Sequence, residues 1–147
     1  MLRVSKLADY AVLIMVFLAR FNNQSHTARE IASHTSLSLP TVSKILKIMA
    51  RGGLLISYRG ITGGYGLAKV SNEISIAQIL ELIDGQFGLT ECVHDKGMCH
   101  LESVCSIKSN WRVINKKIYD ALNKLTLSEM AEPIYEVKVK TNETQFR

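Results

Sequence analysis

The sequence predicts a winged helix-turn-helix, mainly α with a small β-hairpin wing, joined to a long C-terminal dimerisation helix. Three observations predict it. Two short helical patterns lie about four residues apart, a glycine-punctuated pair of strand-like segments follows them, and an amphipathic stretch, "SIKSNWRVINKKIYDALNKL", comes near the end. The chain has 147 residues, 47% of them apolar, which suits a small domain with an appended arm and enough material for a core.

The first helix is predicted from Lys6 to Arg20, with Leu7, Tyr10, Leu13, Ile14, Phe17, Leu18 and Phe21 on an apolar stripe. "NNQSH" breaks it. Thr27 to Glu30 form a capping-box pattern that opens the second helix, where Ile31 and Ala32 face inward. "TSLS" leads to Ser38 as N-cap and Pro40 in the first turn of the third helix, which Gly52 and Gly53 end. Val42, Ile45, Leu46 and Met49 form its buried stripe, so Thr41, Ser43, Lys44 and Lys47 project outward. "LLISYRG" and "GYGLAKV", with "ITGG" between them, make a hairpin with Tyr58 and Arg59 near its tip. Gly60, Gly63 and Gly64 would let its backbone approach a phosphate chain.

Ser75 caps a fourth helix, packed through Ile76, Ile79, Leu80 and Ile83 and stopped by Gly85. An irregular loop follows, and it holds every cysteine of the chain: Cys92, Cys99 and Cys105 in "CVHDKGMCHLESVC". In the last amphipathic stretch Trp111, Ile114, Ile118, Leu122 and Leu125 recur near 3.5 residues, a seam whose mate is the same helix of a second copy. The chain thus divides into a DNA-binding domain (1–85), a cysteine loop (86–106), a dimerisation helix (107–130) and a flexible tail (131–147).

Charge is unevenly distributed. Residues 1–70 hold nine Lys or Arg against two acids, whereas residues 71–147 hold nine against eleven. A basic first half points to nucleic acid. The third helix would enter a major groove with Ser38, Thr41, Ser43 and Lys44 nearest base edges; Lys47 and Arg51 share that face, and Arg3, Lys6 and Arg59 hold phosphates. The longest apolar run, "YAVLIMVFLA", is half of the roughly 20 residues a membrane span needs. The start shows no signal-peptide pattern, so a cytoplasmic protein without a membrane partner is expected. No Ser/His/Asp constellation, phosphate loop or C-x-x-C pair suggests an enzyme or a small-molecule substrate.

Three thiols in one loop of a reducing compartment argue for a metal or a redox role over inert burial. Gaps of six and five residues are looser than the tight knuckles of zinc sites and suit a loop wrapped around an iron–sulfur cluster. Zinc, and a disulfide switch without metal, stay open on spacing alone. So does an adaptor that uses the winged helix for protein contacts.

The combination of "LRVSKLADYAV", "TAREIA", "LPTVSKILKIMARGGLL", "RGITGGYGLAK", "ISIAQILELIDG", "LTEC" and "NWRVIN" resembles the Rrf-two type of bacterial iron–sulfur transcription regulators, whose branches include IscR and NsrR. Within the family the likeness is greatest to regulators of SUF iron–sulfur assembly. The resemblance spans about residues 2–130. It implies a homodimer on a palindromic operator of double-stranded DNA, repression of an assembly operon, and a cluster on Cys92, Cys99 and Cys105, with 2Fe-2S favoured over 4Fe-4S. The IscR branch carries a histidine three residues after the last cysteine; here that position is Lys108, a poor ligand while protonated. The NsrR branch resembles this chain at Asp9. The fourth ligand is therefore expected to be Asp9 of the other protomer, with His100 and His94 as alternatives.

Overall fold

The computed structural model describes residues 3–94, 97 and 99–132. Its first helix, α1 (Lys6–Arg20), starts at Ser5, whose hydroxyl accepts the Ala8 N–H at 3.1 Å and donates to Asp84 at 2.6 Å. Ala8, Ala11, Ile14, Met15 and Leu18 form the buried stripe of α1. Leu13 and Phe21 differ from expectation: both are exposed, because a 3.6-residue period carries them to the edges of an apolar face too wide for one core.

Helix α2 (Ala28–Thr35) begins with the expected capping box, in which the Glu30 N–H donates to the Thr27 hydroxyl and the Thr27 N–H donates to the Glu30 carboxylate. It ends at Ser36, in the left-handed region. Helix α3 (Leu39–Arg51) follows, with Ser38 as N-cap and Gly52 as C-cap. Val42, Ile45, Leu46 and Met49 are fully buried. Strands β1 (Leu55–Tyr58) and β2 (Gly64–Leu67) pair antiparallel, from Leu55 opposite Leu67 to Tyr58 opposite Gly64. His26 adds a third edge through two main-chain bonds to Tyr65, of 3.0 and 2.8 Å.

A 3-10 turn (Ser71–Glu73) leads to α4 (Ile76–Asp84), capped by a Ser75–Gln78 box and ended by Gly85. The cysteine segment is not wholly irregular: Glu91–His94 form α5, one turn that packs on α6 (Lys108–Lys124). Helix α6 buries none of its residues in this chain. Of the expected tail, residues 133–147 lie outside the described residues.

The sequence division of the chain changes at α6. The helix stops at Lys124 instead of running to residue 130, because Thr126 and Glu129 form another capping box and open α7 (Leu127–Ala131). Hydrogen bonds from the Thr126 backbone N–H and hydroxyl hold the Glu129 carboxyl below the usual carboxylate range. Leu127 is fully buried in the hydrophobic core, where α7 packs on α1 and the 3-10 turn. Its N–H donates to the Ile74 carbonyl at 2.8 Å, and the Ile76 N–H donates to the Leu125 carbonyl at 2.9 Å. Leu125, expected on the dimer seam, is the C-cap of α6 and packs against this core. The core built by α1 to α4 is therefore closed by residues that follow α6.

Leu127→Ala is expected to destabilise the protein by about 2–5 kcal/mol through a buried cavity, and Thr126→Ala by about 1 kcal/mol through loss of the cap. Urea unfolding at one fixed protomer concentration measures both.

Candidate nucleic-acid interface and cysteine loop

Helix α3 presents one continuous polar and basic face. Pro40, Ser43, Lys44, Lys47, Ile48 and Arg51 line a shallow depression on it, and α3 contains no acidic residue. Lys44, Lys47 and Arg51 are exposed and make no ion pair among the described residues. At the start of the helix the Ser38 and Thr41 hydroxyls lie 2.8 Å apart, and Ser38 Oγ also accepts the Thr41 N–H at 3.4 Å. Those hydroxyls cap the helix and face solvent at its positive end. Arg3 and Lys6 are exposed at the beginning of α1, and neither lines the depression.

Tyr58 and Arg59 are exposed at the end of β1, as expected of a wing. Two of the hairpin glycines have an internal reason. A Cβ on Gly63 would lie 2.6 Å from the Tyr58 carbonyl oxygen, and one on Gly64 2.5 Å from that of His26. They close the turn and admit the His26 edge, whereas Gly60 has φ +104° and open space around it.

All three cysteines are free thiols; Cys92 is buried on α5, while Cys99 and Cys105 are half-buried. Cys92 Sγ lies 3.2 Å from the Thr90 hydroxyl. The loop is fixed to α6 at two places. Asn115 accepts the Leu89 N–H at 3.0 Å and donates to the Phe87 carbonyl at 3.4 Å. Glu102, midway between Cys99 and Cys105, accepts the Gly97 N–H at 2.6 Å and pairs with Lys108 at 2.7 Å and Arg112 at 4.0 Å. Lys108 is thus committed to a carboxylate. The Lys108 ammonium, then the Gly97 N–H, hold the Glu102 carboxyl below the usual range.

His94 is exposed on α5 beside Gly88, and His100 is exposed in the following turn. Asp9 is exposed in the first turn of α1. Among the described residues no three His, Cys, Asp or Glu side chains converge as a metal-binding group. The soft thiolate chemistry suits an iron–sulfur cluster or zinc, but in a single chain these donors are not gathered. Asn115 and Glu102 were missed in the sequence, although both carried a signal: an amide beside the seam of an amphipathic helix, and a carboxylate three residues from each of two cysteines.

On α6, Val113 and Ile114 are 55% and 42% exposed, and Trp111, Ile118 and Leu122 are half-buried. A helix that buries nothing at home while showing an apolar row presents an unpartnered face. Among the described residues no helix is long and apolar enough to cross a membrane.

A winged helix with a basic reading face, a cysteine loop and this long helix agrees with a family model described as "Iron-dependent Transcriptional regulator", Rrf2, which matches residues 4–133. The chain belongs to the Rrf2 family. It is 30% identical over 130 residues to the HTH-type transcriptional regulator IscR of Vibrio cholerae, covering 88% of this chain and 75% of that protein. It is 28% identical over 134 residues to the HTH-type transcriptional regulator NsrR of Bacillus licheniformis, covering 88% of this chain and 92% of that protein. Among solved structures it is similar to T. potens IscR, with a TM-score of 0.71, 26% identity and 93% of each chain covered. This Rrf2 chain is a DNA-binding transcriptional regulator and not an enzyme.

The Glu102 contacts are complete at neutral pH, since a lowered carboxyl pKa adds stability above the unfolded value and loses it as pH falls through the folded one. The Gly97 amide proton shift should therefore titrate with a midpoint below the ordinary carboxylate range. Glu102→Gln should abolish that titration in the NMR spectrum.

Proposed function

We propose that the protein is a homodimeric repressor of iron–sulfur assembly genes, binding a palindromic operator and reporting cluster supply, oxidative or nitrosative stress through a cluster held by its loop. The observation that carries this reading is the placement of the three free cysteines on one loop that is fastened to α6, a helix that leaves Val113 and Ile114 exposed among the described residues. Cys92, Cys99 and Cys105 would hold the cluster, with 2Fe-2S favoured over 4Fe-4S. The fourth ligand would come from Asp9 of the other protomer ahead of His100 or His94. The committed Lys108 supports a ligand from outside the loop. Bound there, the cluster would supply a redox- and nitric-oxide-reactive centre whose loss the loop can register. The protein's own part is to carry that loop on α6 and to join α6 to the reading head.

Paired along α6 through Trp111, Ile114, Ile118 and Leu122, two protomers would set their α3 helices about one helical turn, roughly 34 Å, apart on the operator. Signal changes DNA affinity only as far as cluster state shifts the balance between two dimer geometries.

Purified dimer should prefer a palindromic promoter fragment of such an operon over random DNA at matched salt. Lys44→Gln should weaken binding to both. Equal affinity for the two DNAs would remove the repressor reading.

Anaerobically purified protein should absorb in the visible, which a zinc protein would not, and Cys92→Ala, Cys99→Ala or Cys105→Ala should bleach it. Asp9→Ala should alter the spectrum more than His94→Ala or His100→Ala. A colourless protein that contains zinc would transfer the site to the zinc reading.

A further inference from the structure

Beside the wing lies a second polar groove. One wall is the turn between α1 and α2, with Asn23, Gln24 and Ser25; the other is the hairpin and the segment after it, with Arg59, Thr62 and Lys69. The two walls are tied together. Ser25 Oγ donates to the Thr62 carbonyl at 2.9 Å, and the main-chain pair of His26 and Tyr65 continues the join. The groove is therefore part of the folded hairpin and not a gap between loose loops.

Its chemistry is one-sided. None of the described residues lining it is acidic, and its two cations, Arg59 and Lys69, are exposed with no ion pair among the described residues. The remaining polar side chains are amides and hydroxyls, which can donate to oxygen without choosing a base. Cations with neutral donors and no carboxylate match the phosphate and sugar oxygens of a nucleic-acid backbone. The groove starts at the exposed Tyr58 and Arg59 of the wing, so it is continuous with the surface expected to meet DNA.

We propose that this groove is a further DNA contact, holding the double-stranded backbone that flanks the operator half-site through Asn23, Gln24 and Lys69. The inference deepens the DNA-reading role of the winged helix and does not involve the cysteine loop. It extends the footprint of each protomer beyond the α3 contacts and adds affinity without adding sequence choice.

The test uses the full-length dimer and a labelled random-sequence duplex long enough for two half-sites and their flanks, with affinity measured between about 50 and 200 mM salt. Lys69→Gln lowers affinity about 3- to 10-fold in that range and reduces the slope of log K against log salt by about 0.9 per protomer. Asn23→Asp, which places a carboxylate in the groove, also weakens binding. Lys117→Gln, which removes the same charge from an exposed position on α6, leaves affinity and slope unchanged. Circular dichroism verifies that each variant is folded. The proposal is overturned if Lys69→Gln and Asn23→Asp bind like the parent while Lys44→Gln is impaired. It is equally overturned if Lys117→Gln matches Lys69→Gln, since the effect is then one of bulk charge. If Lys44→Gln, Lys69→Gln and Asn23→Asp all bind like the parent, the reading face on α3 falls together with the groove.

Discussion

The molecule depends on the place where its chain returns to the core after α6. Leu127 is fully buried in the core, α7 packs on α1 and the 3-10 turn, and the paired main-chain bonds of Ile76 with Leu125 and Leu127 with Ile74 fasten that return to the start of α4. Arg20, at the end of α1, adds a bond from its Nε to the Ala131 carbonyl at 2.8 Å. Without this closure the part of α1 that α7 covers would lie open to water, and burial of apolar surface is the main force that holds a small domain together. The long helix is consequently not an arm on a hinge. One of its ends carries the cysteine loop, and the other end is built into the reading head.

That arrangement limits how a change in the loop can reach DNA. Asn115 and Lys108 attach the loop to α6 at two heights, and α6 in turn packs against α4. Coupling between distant sites requires an element with two arrangements that both sites bias. Helix α6 touches both α5 and α4, so its pose is the natural carrier. A loop that loosens would free one end of α6 while Leu125 and Leu127 still hold the other. Under the proposed homodimer, the response would be a tilt of α6 relative to its mate, with each reading head intact.

Local chemistry made most of the fold legible in the sequence. Thr27, Ser38 and Ser75 cap helices, Gly52 and Gly85 end them, and the apolar stripe of α3 is buried residue for residue. Such signals act within one turn, so they survive any tertiary context. What stayed hidden was long-range. Thr126 and Glu129 spell the same capping box as Thr27 and Glu30, yet the periodicity of α6 runs smoothly through Leu122 to Leu125 and masks the break. Leu125 satisfies the seam and the core equally well as a sequence position, and only the Ser75–Thr126 bridge decides between them. Of the candidate site, the α3 face could be read because burial of its opposite side fixes its orientation. The partners of the two loop anchors could not, since the Gly97–Glu102 and Leu89–Asn115 bonds follow from the path of an irregular segment, even though the anchor residues themselves carried a signal.

The anchors also bear on why the donors are not gathered within one chain. Glu102 is the carboxylate nearest in sequence to Cys99 and Cys105, and both of its oxygens are engaged, one by Gly97 and the other by Lys108 and Arg112. A carboxylate so held is costly to release, because the Lys108 charge would then lose its partner at a half-buried position. The loop thus uses one of its three acids, Glu102, to hold its shape, and that carboxylate is engaged away from the thiols. Under the proposed reading, completion of the site by Asp9 of the other protomer would make cluster binding and dimer geometry a single equilibrium. Any ligand that binds only the completed site stabilises the dimer pose that completes it. Loss of that ligand then removes the same free energy from the arrangement of the two reading heads, with no separate relay between loop and DNA.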